Sequence, residues 1–214
     1  MAKLCLPLLV IFLSLFSLSR TVEPAFSGHT ARRSRARANI EAACRTTRYP
    51  DLCIHCLSTY VKPNMTIQSP QELAQVALTA SLYRALYARA FVLKVARQIN
   101  TLKRENQVVH DCLQQINDSV DQLSGAIKEL RRLEKESVGD DLFWHISNVE
   151  TWVGSALTDA NTCVDALPGP NMSKLKATIK GKVLNVAQTT SNALALFHRF
   201  AKRYRAAGSA TKKP

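Results

Sequence analysis

The sequence predicts an all-α protein, an up-down-up-down four-helix bundle with a small helical appendage at its N-terminal end. Three observations predict it. Four long stretches repeat apolar residues at steps of three and four, and no window alternates with period two. The 214 residues include only 7 Gly and 8 Pro with an apolar share of 46%, which suits one buried core and excludes a collagenous or disordered chain. Aromatics at 7% argue against an all-β sandwich.

Residues 1–25 stand outside the predicted fold. Met1-Ala2-Lys3 is a short basic start, and Leu4 to Leu18 is nearly all apolar. That core fits a signal peptide and falls short of the roughly 20 residues that span a bilayer. No later stretch reads as long and apolar enough to anchor the chain, so the expectation is a secreted protein without a membrane anchor, with Cys5 removed. Residues 26–38 follow as a basic flexible leader. The folded domain is expected over 39–205 and a basic flexible tail over 206–214.

Within the domain, Ile40 to Cys44 and Leu52 to Tyr60 read as short helices folded on each other around Tyr49-Pro50. Ser69-Pro70-Gln71-Glu72 then starts a long helix, with Ser as N-cap, Pro at the first helical position and Glu closing the capping box. Its apolar stripe runs through Leu73, Val76, Ala80, Tyr83, Tyr87 and Ala90 to about Lys103. The next stripe, Val109, Leu113, Ile116, Val120, Leu123, Ile127 and Leu130, alternates steps of four and three, as a helix packed in a bundle requires. Ser137-Val138-Gly139-Asp140 ends it and caps the following helix, whose stripe is Ile146, Val149, Val153, Ala156, Ala160 and Cys163. After Pro168-Gly169-Pro170-Asn171 comes the last, through Leu175, Ile179, Val183, Val186, Thr190, Ala193, Phe197 and Phe200.

Charge is unevenly placed. The formal net charge is +13, yet residues 105–165 hold twelve acidic residues against Lys128, Arg131, Arg132 and Lys135. Arg32, Arg33, Arg35 and Arg37 crowd one end, and Arg199, Lys202, Arg203, Arg205, Lys212 and Lys213 the other. Basic ends suit retention on an anionic matrix, whereas an acidic centre in a secreted chain argues against nucleic acid.

Five cysteines remain after residue 25, an odd number. Cys112 and Cys163 are centred on the Ser137-Val138-Gly139 turn, so an antiparallel helix hairpin brings them together. Closing that loop is worth about 4 kcal/mol in the chain-entropy model. Spacing leaves Cys44, Cys53 and Cys56 open. Cys53-Ile54-His55-Cys56 has the C-x-x-C form, but the βαβ setting of redox motifs is absent, and no second ligand pair stands at metal spacing. His110, His145 and His198 share no spacing that would build a catalytic triad.

Asp111, Gln114, Asp118 and Asp121 form one polar stripe, about 200° from the core stripe of their helix. Thr151, Ser155, Thr158, Thr162 and Asp165 do the same on the next helix with mostly small side chains. A hairpin clipped by Cys112–Cys163 sets the two stripes side by side. Short hydroxyl residues permit close approach of a partner protein, and carboxylates offer charge-assisted bonds to its Lys or Arg. Trp144 and Trp152 read as core or partner contacts. Asn64-Met65-Thr66, Asn117-Asp118-Ser119 and Asn171-Met172-Ser173 are glycosylation sequons, and a glycan on Asn117 would crowd the stripe.

Several of these segments recur in a known order. Cys44 and Cys53 enclosing Tyr49-Pro50, the stretch Asp111-Cys112 to Val120-Asp121-Gln122-Leu123, Ala156-Leu157-Thr158 through Thr162-Cys163 to Asp165, and Thr190-Ser191-Asn192-Ala193-Leu194-Ala195-Leu196 together resemble the plant invertase and pectin methylesterase inhibitor family. The resemblance covers about Asn39 to Tyr204. It implies an N-terminal helical hairpin clipped by Cys44–Cys53 and a bundle clipped by Cys112–Cys163; Cys56, which departs from the family pattern, is left over as a free thiol, a link between chains or a competitor of Cys53. It further implies a non-enzymatic inhibitor that lies across its target's substrate cleft, with no nucleophile, metal or cofactor. By the motifs, Asp118, Asp121, Thr162 and Asp165 are the implied contacts, with Gln114 where some relatives carry an acid. The Ser191 to Leu196 run looks like the pectin methylesterase inhibitors, and the Pro-Lys-Phe motif of invertase inhibitors is absent. The expected partner is therefore pectin methylesterase, ahead of acid invertase, with pectin itself as a contact of the basic termini. A chain ending at Pro214 resembles the free-standing form of the family rather than a pro-region.

Overall fold

In the computed structural model, residues 26–60, 67, 69–99, 104–133, 140–167, 169 and 173–211 are described. The expected signal peptide, Asn64 and Asn171 lie outside them. Six helices follow in order: α1 (Phe26–Cys44), α2 (Pro50–Tyr60), α3 (Pro70–Gln98), α4 (Arg104–Arg132), α5 (Asp140–Ala166) and α6 (Lys174–Thr211). The described residues contain no strand.

The last four helices form the bundle. α3 packs on α4 and α6, and α5 packs on α4 and α6, so each helix has two neighbours in a ring. The α3 start is built as its sequence dictates. Ser69 Oγ accepts from the Glu72 amide at 3.0 Å while the Glu72 carboxylate accepts from the Ser69 amide, with Pro70 leading the helix. Ile116, Leu123, Leu130, Ile146, Val153, Ile179 and Phe197 are almost wholly buried, and the expected α5 stripe faces the core from Ile146 to Cys163. Leu175 is exposed instead. It lies more than a turn before Lys180, whose ammonium donates to Leu167 O at the end of α5.

Leu73, Val76 and Ala80 of the expected α3 stripe are buried, but its second half does not follow the aromatics. Tyr83 and Tyr87 are exposed, as is Ala90; Ser81, Ala85, Ala88, Val92 and Val95 turn inward instead. Small residues there let α3 lie close to its neighbours, and the Ser81 hydroxyl meets that of Thr190 on α6 at 2.6 Å inside the core. By length and composition α3 is also apolar enough to cross a membrane, contrary to the expectation that no such stretch follows residue 25. Its apolar residues Leu78, Val92 and Val95 are nonetheless covered by the bundle.

The N-terminal hairpin is the disulfide-clipped pair expected. Cys44 and Cys53 are bonded with Cα atoms 5.6 Å apart, and Cys112 is bonded to Cys163 with Cα atoms 4.7 Å apart. Cys56 is a buried free thiol. The hairpin is tied to α6 by polar bonds. The Asn192 side chain accepts from the Tyr49 amide at 3.1 Å and donates to the Tyr49 carbonyl at 2.9 Å. Arg199 donates to Ala43 O and to Thr46 Oγ1.

Both expected flexible ends are helical where described. α1 takes in 26–38, the expected leader, and α6 continues to Thr211 through most of the expected tail. Arg and Ala are strong helix formers, Ala36 and Ile40 bury one face of α1, and Arg37 pairs with Glu41 at 3.0 Å one turn on. At the far end the Arg205 guanidinium grips the Glu150 carboxylate through two bonds of 3.0 and 2.6 Å.

The buried Ser81–Thr190 pair gives a direct test. Thr190→Val alone leaves the Ser81 hydroxyl unpaired and is expected to cost about 1–3 kcal/mol, while adding Ser81→Ala should recover much of that loss. Urea denaturation of the two single variants and the double variant measures it.

Candidate functional site

The site is set by the α4/α5 register. Three cross-links descend the hairpin in step. Cys112 bonds Cys163, the Ser119 hydroxyl donates to Ala156 O at 3.1 Å, and Glu129 meets His145 at 2.6 Å. Each pair is centred on the link between the helices, so the helices run antiparallel without slippage. In this register Asp111 stands level with Asp165, Gln114 with Thr162, Asp118 with Thr158, and Asp121 with Ser155.

All seven of the side chains expected at a binding face are exposed: Asp111, Gln114, Asp118 and Asp121 on α4, and Thr158, Thr162 and Asp165 on α5. Their chemistry is not uniform. Asp111 already accepts a 3.0 Å bond from Gln107. The Thr158 and Thr162 hydroxyls donate back to Gly154 O and Thr158 O of their own helix, leaving lone pairs for an incoming donor. Asp118, Asp121 and Asp165 have no ion-pair partner among the described residues.

Asp159 is the residue that sequence reasoning missed. It is half-buried on α5, and burial, followed by the neighbouring Asp118 charge, pushes its carboxyl above the ordinary 3.8. Two carboxylates on facing helices therefore concentrate negative potential between α4 and α5. The available signal was Asp159 falling one residue from the Thr158 stripe, on its inner edge.

Toward the link end, the face changes character. Trp152 lies half-buried against Gly125, whose Cα would carry a Cβ only 3.1 Å from the indole. A side chain there would push the ring outward, so glycine permits the close approach. Trp144 is exposed. Its ring meets that of His145 edge-on, and Glu129, 2% exposed, accepts from Asn148 at 3.0 Å and Arg132 at 3.1 Å besides meeting His145. Burial pushes the Glu129 carboxyl up, but the bonds from Asn148 and His145 and the charges of His145 and Arg132 outweigh it, leaving it below the ordinary 4.5. Asn117 is exposed on α4, while the Ser119 of its sequon is fully buried. Among the described residues no group of three or more His, Cys, Asp or Glu is placed to hold a metal.

The plant invertase/pectin methylesterase inhibitor family model matches residues 38–196. Pectinesterase inhibitor 9 of Arabidopsis thaliana is 42% identical over 179 residues, covering 83% of this chain and 87% of that one. Pectinesterase inhibitor 11 of the same plant is 39% identical over 166 residues, covering 77% and 81%. The crystal structure of a mutant form of an Arabidopsis pectin methylesterase inhibitor superposes with a TM-score of 0.56 at 16% identity, over 72% of this chain and 92% of that one, a likeness of fold.

Two carboxyls shift in opposite directions, so their pH signatures differ. Glu129 favours its charged form in the native state, and that stability is present above its ordinary pKa and lost as pH falls through the lower folded value. Glu129→Gln should therefore lower Tm at pH 7 and narrow the difference from wild type well below pH 4.5. Asp159 disfavours its charged form, so Asp159→Asn should raise Tm at pH 7 and leave it unchanged below pH 3.8. Calorimetric melts across pH 2–7 check both signs.

Proposed function

The chain belongs to the plant invertase/pectin methylesterase inhibitor family, and we propose that it is a secreted inhibitor that binds pectin methylesterase and covers the enzyme's substrate cleft. The observation that carries the reading is the level register of an exposed acidic stripe on α4 with a stripe of short side chains on α5. Short residues on α5 keep a partner's surface close, and Asp118 and Asp121, which have no ion-pair partner among the described residues, receive Lys or Arg from the cleft rim. In water such carboxylates are solvated; in a closed interface their bonds to a cation are charge-assisted.

Inhibition by occlusion needs no chemistry from the inhibitor. The site offers carboxylates, hydroxyls already bonded within their own helix, and two indoles, which suit binding rather than turnover. Two disulfides suit an oxidising compartment, in keeping with secretion to the cell wall. That the similar chains are named pectinesterase inhibitors favours the esterase over acid invertase. The rival reading of a basic wall-binding protein is weakened at the C-terminal end, where Arg199 and Arg205 are bonded into the fold.

The test titrates oxidised protein against a plant pectin methylesterase and an acid invertase in parallel, expecting stoichiometric loss of esterase activity alone. Asp118→Lys with Asp121→Lys should weaken that inhibition at least tenfold, about 1.4 kcal/mol, with the far-UV CD spectrum unchanged. Normal inhibition by the double variant would reduce the acidic stripe to a solvated face, and loss of invertase activity alone would overturn the target.

A further inference from the structure

On the far side of the ring from the α4/α5 stripes, α3 and α6 present a second surface of different chemistry. Tyr83 and Tyr87 stand one helical turn apart on α3, 57% and 64% exposed, and Tyr60 of α2 stacks on Tyr83 with ring centroids 5.9 Å apart. The Lys182 ammonium of α6 lies 4.4 Å from the Tyr87 ring centroid, 4.9 Å from that of Phe91, and 3.5 Å from the Tyr87 hydroxyl. An open cavity of about 270 Å³ sits beside it, lined by Arg84, Tyr87, Thr178, Gly181, Lys182 and Asn185.

Aromatic faces attract and position a cation without neutralising it. Among the described residues no carboxylate pairs with Lys182 or Arg84; the Arg84 guanidinium instead lies 3.8 Å from the Cys56 sulfur. The cavity is thus walled by two cations free of acidic partners and a mostly open phenol ring, with the Asn185 amide at its edge. Gly181 borders open space on this wall, where a Cβ would meet nothing within 4 Å. A pyranose ring that carries a carboxylate matches all of these features: its C–H face packs on an aromatic ring, its carboxylate takes charge-assisted bonds from ammonium and guanidinium, and its hydroxyls suit an amide. A second copy docked with its two-fold axis through this cavity does not match, because Lys182 and Arg84 would then face their own equivalents.

We propose that the outer α3/α6 face is a binding site for a uronate-containing oligosaccharide, engaged independently of the acidic stripes. The choice of galacturonate as that uronate rests on the pectin methylesterase reading; the aromatic and cationic geometry does not.

The experiment titrates the full secreted chain, with no esterase present, against oligogalacturonate, its fully methyl-esterified counterpart and dextran sulfate, by calorimetry. The expected result is binding of the free acid, at least tenfold weaker binding of the methyl ester, and at least tenfold loss in both Lys182→Gln and Gly181→Trp, whose spectra report an intact fold. Native binding by both variants overturns the proposal. So does equal retention of dextran sulfate, a polyanion with no carboxylate, and oligogalacturonate, or loss only on replacing Lys202 and Arg203 with Gln, which would move the contact to the basic end. Esterase inhibition is measured on the same samples. Oligogalacturonate binding without inhibition supports this site and removes the inhibitor reading, whereas inhibition without binding does the reverse.

Discussion

The fixed register between α4 and α5 is the constraint on which the rest depends. An antiparallel helix pair held by apolar stripes alone can slide or rotate, because Leu, Ile and Val offer no directional bond. Here a disulfide near one end, a hydroxyl-to-carbonyl bond in the middle and a buried carboxylate cluster near the link stop that movement. Specificity of position comes from the polar and covalent contacts, while the buried aliphatic residues supply most of the driving force. A binding face split between two helices works only if both halves keep their level, and the register provides that.

The segment from Thr190 to Leu196 acts at a distance from this face. Thr190 holds Ser81 of α3, Asn192 holds the Tyr49 peptide, and Ala193 and Leu196 are buried beside them. These residues join the N-terminal hairpin to the bundle. A family-like run of sequence can therefore mark assembly of the scaffold instead of recognition of a target, and the two meanings look alike until contacts are seen.

Much of the architecture was legible because α4, α5 and α6 are amphipathic with one clean face each. The 4,3,4,3 spacing on α4 maps onto buried residues with only Leu113 half-covered. α3 misled because Tyr83 and Tyr87 sit at core-like spacing, and periodicity cannot tell an aromatic that fills a core from one that faces solvent. Its true inner face sets Ala and Ser among Leu78, Val92 and Val95, and the hydropathy of those small residues hides how closely they pack. Asp111, Gln114, Asp118, Asp121, Thr158, Thr162 and Asp165 were readable as outward residues because their angle from the core stripe follows from helix geometry. Asp159 was not, since its environment is created by Asp118 across the hairpin. The helical leader escaped notice because its charge density suggests solvation, while buried Ala36 and, further on, Ile40 give the helix a seat.

The Asn192 clamp on Tyr49 has a consequence for what position 192 can hold. One side chain there both donates to a carbonyl and accepts from an amide of the same residue, 143 positions away. Only a primary amide has that polarity at that size. Aspartate has nearly the same shape, yet it would set a second oxygen against the Tyr49 carbonyl in a buried place; leucine would fill the volume and strand both backbone groups. Hydrolysis of this one amide, an ordinary form of chemical ageing, would therefore loosen the hairpin from the bundle while leaving every disulfide in place.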